Sequence, residues 1–90
     1  VDLDLCGRSY LHYQTPLIGG KVGTFDVELA EEFFHGFANS SGTTLHINVP
    51  YGKNQHHIIE GIFKAFAKSL DLATSIDQRL HGVLSTKGSL

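Results

Sequence analysis

The sequence has no tryptophan, no methionine and a single cysteine, Cys6, among its 90 residues. A lone cysteine cannot form an internal disulfide, which excludes a disulfide-stabilised scaffold and favours a reducing compartment. The sequence also lacks a large excess of positive or negative charge. Seven basic and nine acidic residues give a net charge of -2, which argues against a nucleic-acid partner. No apolar run approaches the ~20 residues needed to span a bilayer, and no signal-peptide pattern opens the chain, so we expect a cytoplasmic protein without a membrane partner.

The composition that remains is that of one small folded unit. Hydrophobic residues make up 41% and charged residues 18%, which is typical of a globular chain and not of a disordered one. A chain of 90 residues is marginal for a self-sufficient core, because short chains bury a small share of their surface. The first residue is Val1, inside an alternating strand pattern, so we expect a piece of a longer protein. The six histidines are the compositional anomaly.

Period-two alternation of apolar residues predicts three strands. The alternation runs over residues 1–14 on both sides of Gly7 and Arg8, which predicts two adjacent, antiparallel strands. Proline and glycine then mark residues 16–23 as a loop. Alternation returns over residues 43–49 and ends at a proline, which predicts the third strand.

Helical periodicity predicts two helices, one on either side of the third strand. The first covers residues 26–39, with Thr24 or Asp26 as its N-cap, and the second begins after Asn54 and ends at about Ala73. The order β-β-α-β-α predicts an α+β fold, in which one sheet carries both helices on one face. The predicted buried stripe of the second helix consists of Ile59, Ile62, Phe63, Phe66, Ala67, Leu70 and Ala73.

The clearest chemical pattern lies at the start of the second helix, where His56 and His57 precede Glu60 by four and three residues. At that spacing both imidazoles can approach one carboxylate. Nitrogen and oxygen donors suit manganese, iron, zinc or nickel, and the lack of thiolates argues against a structural zinc site. Adjacent histidines point about 100° apart on a helix, so two neighbouring ions suit the pair better than one. Spacing alone leaves an ordinary polar helix start as an open alternative.

Other polar residues have ordinary structural interpretations on spacing alone. Lys64 forms an i, i+4 pair with Glu60, and an anion-binding role for it is the less favoured alternative. His46 faces away from the apolar residues beside it in the third strand, which favours a structural role. His12, His35 and His81 have no partner at a motif spacing and receive no role. Cys6 is interpreted as a small buried residue.

Five short motifs resemble one enzyme family in their order and spacing. They are residues 4–8 (DLCGR), 21–26 (KVGTFD), 52–60 (GKNQHHIIE), 63–65 (FKA) and 85–88 (STKG). Together they resemble the C-terminal half of imidazoleglycerol-phosphate dehydratase, an enzyme of histidine biosynthesis. The resemblance covers nearly the whole chain, and five ordered motifs are far more specific than the histidine pair alone.

The resemblance implies a lyase that removes water from imidazole glycerol phosphate to give imidazole acetol phosphate. The family is built from two similar α+β halves, and its sites form between subunits of a homo-oligomer of twenty-four chains. Two manganese ions per site stabilise the imidazolate form of the substrate, which is Lewis-acid catalysis. Residues 1–90 would then be one half-module, which pairs with a similar N-terminal half outside this sequence and shares its manganese site with that half and with neighbouring subunits.

The resemblance also assigns site residues by position. Metal ligation falls to Glu32, His56, His57 and Glu60, although many members have histidine where Glu32 stands. A carboxylate is nevertheless a competent manganese ligand. The general acid or base is left unassigned. Substrate binding, to the phosphate above all, falls to Arg8, His56, Lys64, Ser85, Thr86 and Lys87.

Two alternatives from other classes stay open. One is a non-catalytic metal- or phosphate-binding α+β module that kept the half fold. The other is a structural domain whose histidines are incidental.

Overall fold

The computed structural model describes the backbone of residues 1–87 and the side chains of residues 1–75. The elements follow in the order β1 (Asp2–Asp4), β2 (Tyr10–Gln14), β3 (Lys21–Val22), β4 (Phe25–Asp26), α1 (Glu28–Ser41), β5 (Thr44–Asn48) and α2 (Gln55–Lys87). The predicted α+β order is confirmed, with the small β3–β4 hairpin added at the end of the predicted loop. No helix among the described residues is both long and apolar enough to cross a membrane.

The main sheet places β5 at its centre, in the strand order β1-β5-β2. β1 runs antiparallel to β5, and β2 runs parallel to it. The prediction that β1 and β2 are neighbours is therefore wrong. β5 takes the central position because Leu45 and Ile47 are both fully buried there. The outer strands lie about 10 Å apart, two strand spacings, and the connection over residues 5–9 is long enough to cross that distance.

Both helices cover the same face of this sheet, as predicted. Phe34 of α1 and Ile62 and Phe66 of α2 share one buried cluster with Leu45 and Ile47. The predicted stripe of α2 is wrong at two positions, because Ile58 is buried and Ala67 is exposed. The buried residues Ile58, Ile62 and Phe66 follow each other at i, i+4 spacing, and Ala67 lies about 100° around the helix from Phe66.

The N-cap predicted for α2, Asn54, is confirmed, whereas Thr24 and Asp26 are wrong for α1, which begins at Glu28, two residues later than predicted, with Val27 as its N-cap. The Asp26 carboxylate accepts from the backbone N–H of Glu28 at 3.0 Å, and the Asn54 side chain accepts from the N–H of His57 at 3.0 Å. Each bond satisfies an otherwise unpaired donor of a first turn. The predicted end of the second helix at Ala73 is wrong, since α2 continues to Lys87. Residues 74–84 contain no proline, so the loss of amphipathic period there does not stop the helix.

Gly42 ends α1 in the left-handed region, with φ of 65°. A Cβ at this position would also lie 3.1 Å from the Cα of Gly7. We expect Gly42→Ala to destabilise the protein by about 1–2 kcal/mol, because an L-residue resists this conformation. Gly36→Ala is the matched control, since its Cβ would meet nothing within 4 Å and alanine favours the helix interior by about 0.5–1 kcal/mol. Urea unfolding of both variants checks this, and equal stability of the two would contradict it.

Candidate functional site

An exposed polar face on the first three turns of α2 carries His56, Glu60 and Lys64. The Nε2 atom of His56 lies 3.3 Å from one Glu60 carboxylate oxygen, and the Nζ atom of Lys64 lies 2.8 Å from the other. The three side chains follow each other at i, i+4 spacing, so one carboxylate bridges an imidazole and an ammonium group. The predicted proximity of His56 and Glu60 is therefore present in the folded chain.

The charges on this face keep Glu60 ionised. The Lys64 ammonium group, by its hydrogen bond and its charge, lowers the pKa of Glu60, and His56 and His57 add smaller effects in the same direction. Glu60 in turn raises the pKa of Lys64. An ionised carboxylate beside an imidazole is a usable pair of metal donors at neutral pH, and Lys64 is the group that a metal ion would displace.

His57 points away from the polar face, as expected for a neighbouring helical position. Its ring centroid lies 5.8 Å from that of His56, with an angle of 57° between the ring planes. The side chain of His57 lines an open pocket of about 440 Å³ between β5 and α2, together with Val49, Tyr51 and Ala65. The two imidazoles therefore face different surroundings: His56 lies beside Glu60 on the polar face, and His57 lines the pocket.

Glu32 lies on the exposed side of α1, in its second turn. The ring of the next residue, Phe33, lies 5.5 Å from the ring of Phe63 on α2, so the helices approach each other close to Glu32. Among the residues that the structure describes, no group of three or more His, Cys, Asp or Glu side chains lies close enough together to hold a metal ion. In the described part of the chain, the predicted metal donors are therefore one close pair, His56 and Glu60, and two separate side chains, His57 and Glu32.

Arg8 lies at the other end of the sheet from the polar face of α2. It precedes β2, where Tyr10 is in register with Thr44 at the start of β5, and the Thr44 hydroxyl donates to the Arg8 carbonyl at 2.8 Å. α2 begins after the opposite end of β5. The structure therefore does not bring Arg8 together with His56 or Lys64. Ser85, Thr86 and Lys87 fall outside the described side chains.

Cys6 is exposed, so the prediction that it is buried is wrong. It belongs to the connection that crosses the end of β5, where its Sγ lies 3.3 Å from the Thr44 hydroxyl. This contact is the main cause that lowers the pKa of the thiol, because the Thr44 hydroxyl can donate to the thiolate.

Gln55 is a positioning residue that sequence spacing does not reveal. Its Oε1 atom accepts from the backbone N–H of Ile18 at 3.0 Å, which links the loop after β2 to the first residue of α2. The bond joins residues far apart in sequence, so no local pattern signals it. It ties the helix start that carries His56 to that loop.

Removal of Lys64 tests the electrostatics of the polar face. Because Lys64 is the main cause of the low pKa of Glu60, we expect Lys64→Gln to raise that pKa toward the ordinary carboxyl range. In the parent, stabilisation by the pair is present above the ordinary carboxyl pKa and disappears as the pH falls through the lowered one. A carboxyl-carbon NMR titration of Glu60 measures the shift, with Lys68→Gln as the control on the same helix. An unchanged Glu60 titration in Lys64→Gln would contradict the assignment.

Comparisons with known proteins agree on one family. The family model for imidazoleglycerol-phosphate dehydratase matches residues 1–70. The chain is 60% identical over 90 residues to the imidazoleglycerol-phosphate dehydratase of Trichlorobacter lovleyi and 57% identical over 88 residues to that of Pelobacter propionicus. It covers 46% and 45% of those two proteins, which cover 100% and 98% of this chain. The chain therefore spans about half the length of the curated relatives it matches.

The fold agrees with the sequence match. A crystal structure of imidazoleglycerol-phosphate dehydratase from Staphylococcus aureus superposes with a TM-score of 0.75 and 48% sequence identity, over 79% of this chain and 42% of that one. The match to the family model includes α1, β5 and the polar face of α2. By sequence and by fold, the chain belongs to the imidazoleglycerol-phosphate dehydratase family.

Proposed function

We propose that this chain supplies the C-terminal half of a cytoplasmic imidazoleglycerol-phosphate dehydratase of histidine biosynthesis. The reaction is the loss of water from imidazole glycerol phosphate to give imidazole acetol phosphate. The observation that carries the proposal is the His56–Glu60 donor pair, 3.3 Å apart, on a chain whose family is established by sequence and fold.

The donor set of this half fits manganese. Imidazole nitrogens and carboxylate oxygens are the donors that this ion accepts, and His56, His57, Glu60 and Glu32 provide both. His56 and His57 face different spaces, which suits two ions better than one. Bound manganese would supply Lewis-acid stabilisation of the negative charge that develops on the substrate imidazole. The side chains of this half would hold the ions from one side, and Glu60 would exchange its contact with Lys64 for a metal bond.

Lys64 is the residue that we assign to the substrate phosphate on this helix. Its ammonium group is exposed and lies 2.8 Å from the Glu60 carboxylate, and its backbone lies about 6 Å further along the helix. With Glu60 engaged by a metal ion, Lys64 would be free to pair with a phosphate oxygen, which is a stronger acceptor of charge-assisted hydrogen bonds than water. The chain would thereby orient an elongated substrate along α2, with its imidazole toward His56 and its phosphate toward Lys64. Ser85, Thr86 and Lys87 are proposed to complete the phosphate contacts.

The separation of Arg8 from α2 supports a site shared between copies. Arg8 lies at the start of β2 and the polar face at the opposite end of β5, so one substrate molecule is not expected to reach both on one chain. Arg8 of one chain would instead bind the phosphate held by α2 of another. This requirement supports a closed homo-oligomer, for which we propose the twenty-four-chain assembly.

An apolar strip on the outside of the helices supports pairing with the N-terminal half. Leu29 and Phe33 are 47% and 49% exposed, although they lie on the helix that also carries the buried Phe34. The Phe33 ring lies against Phe63 of α2, so the strip continues across both helices. Burial of such residues stabilises an interface by about 25 cal/mol for each Å² of apolar surface.

A non-catalytic metal- or phosphate-binding module is the second candidate. The arrangement of the donors supports it, since the described residues hold them as a pair and as single groups and not as a triad. Such a module would bind manganese or phosphate without turnover.

Replacement of His56 in the intact protein tests the proposal. We expect His56→Ala to lower the bound manganese and to reduce dehydration by about 100-fold or more, because a donor to the ion is lost. His35→Ala is the matched control, since His35 forms the same kind of i, i+4 pair with Glu31 at 3.6 Å on α1. Metal analysis and a dehydration assay measure both quantities.

The outcomes separate the candidates. Full activity in His56→Ala would refute the metal role. Manganese binding by the parent without turnover would establish the binding module in place of the enzyme. Equal losses in His56→Ala and His35→Ala would mean that the effect is not specific to the polar face of α2.

A further inference from the structure

The open face of the main sheet, on the side away from the helices, carries a second pair of histidines. His12 of β2 and His46 of β5 are register partners in the parallel ladder, and their ring centroids lie 5.7 Å apart. Both alternate with residues that face the core, Leu11 and Tyr13 on β2 and Leu45 and Ile47 on β5. Their side chains therefore point to the same side of the sheet, which the helices leave uncovered.

A carboxylate extends this pair into a row across all three strands. Asp2 of β1 is the register partner of His46 on its other side, and it is exposed, as His46 is. Side chains of directly opposed residues start about 4.5–5.5 Å apart at Cβ, so Asp2 and His46 can reach each other. The Tyr10 ring, 5.7 Å from His46, lies beside the row on the same face.

We propose that His12 and His46 form a surface site for one divalent transition-metal ion with a preference for imidazole, such as nickel, zinc or copper. Two imidazoles that share one ion at about 2.0–2.1 Å, with a near-tetrahedral angle, have ring centroids about 5 Å apart. The observed 5.7 Å is close to this separation, so small side-chain rotations bring both rings onto one ion. Water would occupy the remaining coordination positions.

Asp2 acts in this site as a positioning residue. A histidine that binds a metal through one ring nitrogen usually donates its other N–H to a carboxylate or carbonyl oxygen, which fixes the ring and raises its basicity. Asp2 is in register to accept from His46, on the side away from His12. Its charge also favours a cation at this face.

The cross-strand pair differs from the His56–His57 pair in the direction of its side chains. Opposed residues on neighbouring strands project in parallel, so the two imidazoles can converge on one ion. Neighbouring residues on a helix diverge by about 100°. The face of β5 that carries His46 is also opposite to the face that α2 covers. The two histidine pairs can therefore be tested independently.

Nickel binding by the intact protein tests the site. The parent for the measurement carries His56→Ala and His57→Ala, so that the histidines at the start of α2 do not contribute. We expect His12→Gln and His46→Gln, each added to that background, to remove one nickel ion per chain or to weaken its binding roughly tenfold or more. His35→Gln is the control, because it removes an exposed histidine whose partner is a carboxylate on a helix. Equilibrium dialysis gives the stoichiometry, and circular dichroism verifies the fold of each variant.

Asp2 provides the second arm of the test. We expect Asp2→Asn to weaken nickel binding about tenfold and Asp2→Glu to restore part of the loss. Only a carboxylate accepts the hydrogen bond from the His46 N–H with a negative charge. Unchanged nickel stoichiometry and affinity in both His12→Gln and His46→Gln would overturn the proposal. An equal loss in His35→Gln would overturn it as well, since binding would then be general to surface histidines.

Discussion

The arrangement of the helices on the sheet depends on the contacts of the buried Phe34 ring with aromatic rings of α2 and β2. This ring is fully buried, and its centroid lies 5.1 Å from the rings of Phe63 and Phe66 on α2 and 6.2 Å from that of Tyr13 on β2. Such aromatic pairs contribute about 0.5–1.5 kcal/mol each beyond the surface they bury. His56 precedes Phe63 by nearly two full turns, so the two side chains share one side of the helix. The aromatic contact thus fixes the direction in which His56 points.

Local features of this fold could be predicted from the sequence, and non-local ones could not. The cap at Asn54 and the His56–Glu60 spacing each depend on residues within one helical turn, and both are present in the structure. The insertion of β5 between β1 and β2 depends on burial at Leu45, which alternation alone does not rank above that of the other strands. The separation of Arg8 from α2 follows from that arrangement of strands, so the alternation pattern could not predict it either.

The histidines illustrate the same division. His56 lies beside Glu60 through helical spacing, whereas His12 lies beside His46 through strand register, which no local pattern contains. A fourth, His35, pairs with Glu31 on the exposed side of α1. The excess of histidine in the composition thus has at least three separate structural origins. The spacing to Glu60, and not the count, singled out the α2 pair, and the resemblance of the ordered motifs implied its metal role.

The central position of β5 also dictates an order of assembly. β2, α1 and β5 follow each other along the chain, and the parallel pairing of β2 with β5 closes over a helix that can form locally. β1 pairs with the same strand but closes a longer loop, because it precedes β2 in the chain, and the chain entropy lost in that closure is repaid only once β5 is in place. On a ribosome, neither outer strand could therefore pair with its partner before β5 emerges, and the backbone hydrogen-bonding groups of both would stay open to other strands until then.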